Sequence, residues 1–442
     1  MSDSDGTLGW FSAVSIALGG MIGGGIFSVL GVVANIAGTG AWVAFVAAGV
    51  VALCAGYSYT KLNEVADRNG ASVTYVQWAS DNTTLAGMVG WTLLFGYVGS
   101  MAMYAYAFGS FFVELVGVHA VGAMALRPVV STAAVGLFVG LNLLGARTSG
   151  VTENVLVAVK MVVLLGFGLL GAYYGLRQGK LEFVSRELSG LSPLVAAAVS
   201  FVAFQGWQLL FYDRESVHDP DRTIPRAIYT AIPVAVATYV LVAVVTTSLL
   251  SPELILRKKE VALAVAARPV LGEAGFVLVG VAALVSTGSA INATLFSAAH
   301  FAKGMLREDL LPDQFGDGDA DGIPVRTMLL LGLVTVGFTV YGSLEGITSF
   351  ASLAFIVVFG VMSSLAFTLR DDERVSAVIP TVGVLGTALF APLMLWHLAT
   401  REPRVFVAVV LTALAVFVVE LTYFERRTLA AYARRIEPEF GE

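Results

Sequence analysis

The sequence is short of charge and almost without cysteine. Lys, Arg, Asp and Glu make up 13% of its 442 residues, against roughly 25% in ordinary soluble domains. That deficit excludes a chain folded throughout in water. One cysteine, Cys54, excludes an internal disulfide framework and reads as a small buried hydrophobe. The four histidines, His119, His218, His300 and His397, are scattered without ligand spacing, so neither a metal site nor a cofactor is expected. Lysine is scarce as well. Six lysines stand beside 20 arginines, and an acidic excess of 32 to 26 hints at a salty habitat and gives no footprint for nucleic acid.

What the chain does have is apolar length. It is 57% hydrophobic, and uncharged runs long enough to cross a hydrocarbon core of roughly 30 Å recur along it. Twelve spans are expected, near 10–34, 39–60, 85–116, 127–145, 152–176, 192–212, 227–250, 272–302, 327–343, 347–369, 376–398 and 403–424. The opening "MSDSDGTLGW" has no basic region or cleavage site, so the first span is expected to stay in the mature protein. With the N-terminus inside, 15 basic residues fall in cytoplasmic segments and 10 in outer loops. The outer cluster Arg257, Lys258, Lys259 is the main exception to the positive-inside pattern.

Within the first span the chain reads "GGMIGGGIFSVLG", residues 19–31, with five glycines in seven residues. Glycine in a helix interior costs about 1 kcal/mol relative to alanine, so the stretch predicts either a helix break or a close helix crossing. Gly19 with Gly23, and Gly20 with Gly24, fit the crossing. A second interruption tips the reading toward a break. In "SFVAFQGWQLLFYDRESVHDPDRTIPRAI", residues 200–228, Gly206 divides an apolar run and is flanked by Gln205 and Gln208. Backbone can leave the helix at membrane depth only where it lines a cavity or is buried in protein, and paired interruptions in two halves of a chain mark many secondary transporters.

These stretches resemble the amino acid, polyamine and organocation transporter superfamily. "GGMIGGGIFSVLG" looks like its first-span signature, and "FVAFQGW" with "DPDRTIPRAI" like its sixth span and following loop. "DRNGASVTYV" (67–76) and "SAAHFAKGMLREDLLP" (297–312) add to the likeness, which runs over nearly the whole chain. The resemblance implies an all-α integral membrane protein of one transporter domain. Its two inverted five-helix repeats would cover 10–178 and 191–370, with broken spans 1 and 6, spans 11 and 12 over 376–424, and a cytoplasmic tail from 425 to 442. It implies an amino acid permease of the plasma membrane, not an enzyme.

Carried onto this chain, the backbone of Gly23, Gly24 and Gly25 would receive a substrate carboxylate, with Ile26 opening the second half-helix. Free N–H groups at a helix start suit that task. Carbonyls at Ala203 and Phe204, with Ile22, would take the ammonium group. Gly206, Trp207 and Gln208 would line the span 6 side, and Tyr104, with Tyr97 and Met101, would close the pocket from span 3. Relatives that handle arginine or polyamines often carry an acidic residue where this chain has Gln208, which points to a neutral, apolar amino acid.

Lys160, in "TENVLVAVKMVVLLGF", is the one basic residue placed deep in a span. A lysine there costs roughly 3 kcal/mol on insertion scales and must snorkel to the inner surface or face the protein interior. A buried amine can give up its proton during a transport cycle. In proton-using relatives a lysine at the matching place resembles a built-in substitute for sodium. Here it would bridge carbonyls near Gly20 to Gly23 and the hydroxyls of Ser286 and Thr287. The partners expected are therefore an amino acid, a proton and the lipid bilayer, and the activity is proton-coupled symport by alternating access.

Rival readings are an amino acid exchanger or a sodium-coupled symporter on the same scaffold. An intramembrane aspartyl protease is a remoter one. Tyr212-Asp213 and the "GDGD" at 316–319 match its two short motifs, but both lie in polar, charged surroundings at span ends. The same acidic loop opens like an EF-hand at Asp317, Asp319, Asp321 and Gly322, yet position twelve is Met328 rather than glutamate.

Overall fold

A chain surrounded by hydrocarbon must satisfy its backbone donors and acceptors internally, and this one does so with helices. The computed structural model describes residues 8–66, 72–145, 150–183, 190–212, 214–316 and 325–419. Asp213, most of the "GDGD" and EF-hand-like loop, the start of "DRNGASVTYV" and the tail from 425 lie outside the described residues.

The helices are α1 (Trp10–Ala37), α2 (Ala41–Ala66), the short α3 (Ser72–Ser80), α4 (Thr83–Val116), α5 (Leu126–Leu143), α6 (Gly150–Arg177) and α7 (Ser192–Ser200). They continue with α8 (Pro220–Leu249), a short α9 (Pro252–Arg257), α10 (Ala262–Arg307), α11 (Val325–Tyr341), α12 (Leu344–Thr368), α13 (Val378–Arg401) and α14 (Pro403–Val419). Nine stretches among the described residues are long and apolar enough to cross a membrane, the first holding both α1 and α2; α11 and α14 are shorter apolar helices. Helical segments thus fall on all twelve expected spans. Two-residue strands β1 (Ala120–Val121) and β2 (Met124–Ala125) pair antiparallel between α4 and α5.

Capping follows the sequence. Asn82 accepts from the Leu85 amide to start α4, Ser251 caps α9, Ser343 caps α12, and Gly117 ends α4 in the left-handed region. Gly272, at φ 65° and ψ −154°, bends α10, so the stretch before it is a separate piece of helix and the expected span begins at the bend.

Burial sorts the bundle. The best apolar window is 89% buried in α1–α2 and 89% in 192–211, against 22% in α5 and 28% in α13. The α1–α2 stretch and span 6 therefore lie deepest, with α4 next at 78%, and α1 and span 6 meet along the bundle interior. These two segments run antiparallel, because Gly20 of α1 faces Gly206 while Gly25, further along α1, faces Ala203. At one end Leu8 is tied to the segment after span 6: its N–H donates to Ser216 O at 3.0 Å, and its carbonyl accepts from the His218 N–H at 3.0 Å.

Two lysines of the 257–259 cluster are paired. Lys258 meets Glu114 at 2.7 Å, and Lys259 meets Glu345 at 3.2 Å. The other carboxylate oxygen of Glu345 lies 3.3 Å from Nε2 of the buried His397.

Candidate functional site

Span 6 is broken where the sequence places the break. α7 ends at Ser200 and tightens into a 3-10 turn over Phe201–Phe204. Gln205 is then extended, Gly206 takes φ 126° and ψ −36°, and a second 3-10 stretch runs over Trp207–Phe211. Only glycine adopts that Gly206 conformation without strain.

The released backbone groups are met by side chains from three elements. Ser352 Oγ of α12 accepts from the Val202 N–H at 3.0 Å and donates to Val199 O at 2.6 Å. The Tyr239 hydroxyl of α8 donates to Ala203 O at 2.9 Å. The Gly206 N–H donates to Gln208 Oε1 at 2.6 Å.

A buried polar chain continues from there. Gln208 Nε2 donates to Gln205 Oε1 at 3.3 Å, and Gln205 Nε2 donates to the Tyr104 hydroxyl of α4 at 2.6 Å. Tyr97, two turns earlier on the same face of α4, shares a 2.7 Å hydrogen bond with Tyr212. Met101 is also buried on α4. Trp207 packs edge-on against Tyr59 and tilted against Phe359, and its indole N–H has no hydrogen-bond partner among the described residues.

Span 1 differs from its expectation. Helical hydrogen bonding runs unbroken through Gly19–Gly25, from Trp10 to Ala37, so Gly23, Gly24, Gly25 and Ile26 offer no free helix start here. The glycines serve contact instead. A Cβ on Gly20 would stand 2.6 Å from Gly206 Cα, one on Gly25 would stand 2.9 Å from Ala203 Cα, and one on Gly24 would fall on the Tyr104 ring. Gly23 faces Ala290 of α10. This is the close crossing that small residues at spacings of four allow. Ile22, Ile26, Ala203, Phe204 and Trp207 are fully buried around it, as is Gln208.

Lys160 lies in the interior, 1% exposed, rather than snorkelling. Its expected partners are otherwise engaged. Ser286 Oγ donates directly to Ile22 O at 3.2 Å, tying α10 to α1, and Thr287 folds back onto Ala283 O at 2.7 Å of its own helix. A hydroxyl on a helix readily takes the carbonyl one turn earlier. The Lys160 amine is left with no hydrogen-bond partner among the described residues. It shares a face of α6 with Glu153 and Val157, which border Gly19 of α1, and α6 packs on both α1 and α10.

Sequence reasoning places Gln208 in the site but leaves out Gln205, Tyr239 and Ser352. Gln205 is signalled by its position beside Gly206. The other two have no local signal, since they come from α8 and α12 and act only because the break needs partners.

An amino acid permease family model matches residues 8–432 of this sequence. The chain belongs to that family. It is 28% identical to the inner membrane transport protein YbaT of Escherichia coli over 96% of this chain and 97% of the relative. It is 24% identical to the methylthioribose transporter of Bacillus subtilis, over 89% and 87%. It is 24% identical to the b(0,+)-type amino acid transporter 1 of Mus musculus, over 86% and 80%. The family and these relatives are transporters and not enzymes, so the aspartyl protease reading falls. This permease is a multi-span membrane protein with a close contact between the glycines of α1 and the break in span 6.

Proposed function

We propose that this permease imports a neutral amino acid across the plasma membrane by proton-coupled symport, with Lys160 as the proton carrier and with its N- and C-termini in the cytoplasm. The observation that carries the proposal is Lys160 itself, buried to 1% exposure with no hydrogen-bond partner among the described residues. A buried ammonium without a hydrogen-bond partner is costly, which suits an amine that releases and regains its proton in the course of a transport cycle.

Alternating access supplies the rest of the cycle. Reprotonated Lys160 would draw the carbonyls around Gly20 to Gly23 toward it, and the glycine-rich middle of α1 is the cheapest part of that helix to unwind. Unwinding there would free the amides of Gly23, Gly24 and Gly25 for a carboxylate, opposite the carbonyls of Ala203 and Phe204. The two inverted repeats, 10–178 and 191–370, would then part on one side and close on the other. The described residues of the span 6 break, 201–212, are themselves uncharged, which supports a neutral substrate.

The test is uptake of radiolabelled amino acids into liposomes holding the purified protein, with and without an inward proton gradient. Wild type should concentrate substrate with the gradient, and Lys160→Ala should lose accumulation while retaining passive exchange. Uptake that requires amino acid preloaded inside, whatever the pH, would make the protein an exchanger. Accumulation driven by sodium would overturn the role of Lys160.

A further inference from the structure

We propose that Gln205, paired with Tyr104 above Gly24, selects substrates whose side chain carries an uncharged hydrogen-bonding group, an amide or a hydroxyl, over purely hydrocarbon ones. The inference rests on the transport reading and narrows its substrate class toward the polar end.

Two glutamines flank the break, and they do different things. Gln208 turns its oxygen onto the Gly206 N–H at 2.6 Å and so replaces a lost backbone partner. Among the described residues the Gln205 side chain bonds no backbone group. It makes one short bond, Nε2 to the Tyr104 hydroxyl at 2.6 Å, and one long one, Oε1 from Gln208 Nε2 at 3.3 Å. A primary amide offers two N–H donors and two lone pairs, so among the described residues half of its capacity is unused in a residue only 2% exposed.

The pair is also in the right place. The Tyr104 ring lies on Gly24, the α1 residue whose absent side chain leaves room for it, and Gly206 beside Gln205 lies on Gly20. The unspent donor and acceptor therefore stand at the contact that must open to admit anything between α1 and span 6. On the same two segments Ile22, Ile26 and Phe204 are apolar and fully buried.

When a substrate parts α1 from span 6, the Gln205–Tyr104 pair meets the substrate side chain in a dry site. A group that donates and accepts satisfies both partners. A hydrocarbon side chain leaves buried polar atoms unpaired, which a site of this kind penalises strongly. Sites built on hydrogen bonds discriminate far better than apolar slots, in which one methylene changes selectivity by only about 10- to 200-fold.

The experiment measures uptake of radiolabelled glutamine, serine and leucine into liposomes by wild type, Gln205→Leu and Tyr104→Phe. Wild type should favour glutamine or serine over leucine by about tenfold or more. Gln205→Leu should bring that ratio to unity or below, through a raised KM for the polar substrate. Tyr104→Phe removes one oxygen only, so it should move the ratio the same way even if Gln205→Leu folds poorly. Wild type that transports leucine best, or variants that slow all three substrates equally, would overturn the selectivity while leaving transport intact. Wild type that transports no amino acid would overturn the transport reading itself.

Discussion

At Gly206 the backbone holds φ 126° with Gly20 Cα against it, so a single added methyl meets both strain and a clash. Conformational strain of this kind costs about 1–3 kcal/mol, and overpacking about as much again. Gly206→Ala is therefore expected to lower stability by about 3 kcal/mol or more, read as a fall in the thermal unfolding midpoint in detergent, and to abolish uptake. Gly136→Ala is the matched control. Nothing lies within 4 Å of a Cβ there, so that helical substitution should stay within about 1 kcal/mol of wild type. Gly24→Ala should behave like Gly206→Ala, because the Tyr104 ring occupies the space.

At the scale of the element, the break in span 6 is stable because other helices complete it. Ser352 serves two backbone atoms from α12 and Tyr239 serves one from α8. Ser352→Ala leaves the Val202 N–H and Val199 carbonyl without that partner, at a cost of about 1–3 kcal/mol. The expected outcome is a lower unfolding midpoint and impaired transport. Ser364→Ala, exposed on the same helix, should change neither. The break was legible because Gly206 interrupts an apolar run between polar residues that lipid would not tolerate. Span 1 carries the same kind of signal, yet its helix is continuous. A missing Cβ permits both a bend and a close approach, and only the partner surface, here Gly206, Ala203 and Tyr104, decides which occurs. Lys160 was legible as an interior residue because an amine at that depth has few alternatives; its lack of a partner was not, since that depends on Ser286 and Thr287 bonding elsewhere.

Across the whole molecule, topology can be checked through the chain's own poverty in thiols. Cys54 is the one cysteine of the sequence, so a Cys54→Ser background has no thiol and should be silent to membrane-impermeant maleimide. Asp221, in the mouth of a cleft of about 360 Å³ lined also by Thr60, Asn63, Glu64, Phe211, Ile224 and Pro225, is exposed. Asp221→Cys should label only from the cytoplasmic side, and Glu253→Cys, exposed on α9, only from outside. Labelling of both from one side would refute the twelve-span topology; the reverse pattern would invert it. If the labelling places Glu253 outside, the ion pairs of Lys258 with Glu114 and of Lys259 with Glu345 lie on the outer side with it.

The contact between Gly20 and Gly206 is main chain laid on main chain. Interlocked side chains must withdraw from one another before two helices can slip, which makes their friction high. Two bare ribbons have no teeth to disengage. At this seam nothing larger than hydrogen separates the two backbones, so any side chain placed at position 20 or 206 would act as a wedge that holds α1 off span 6.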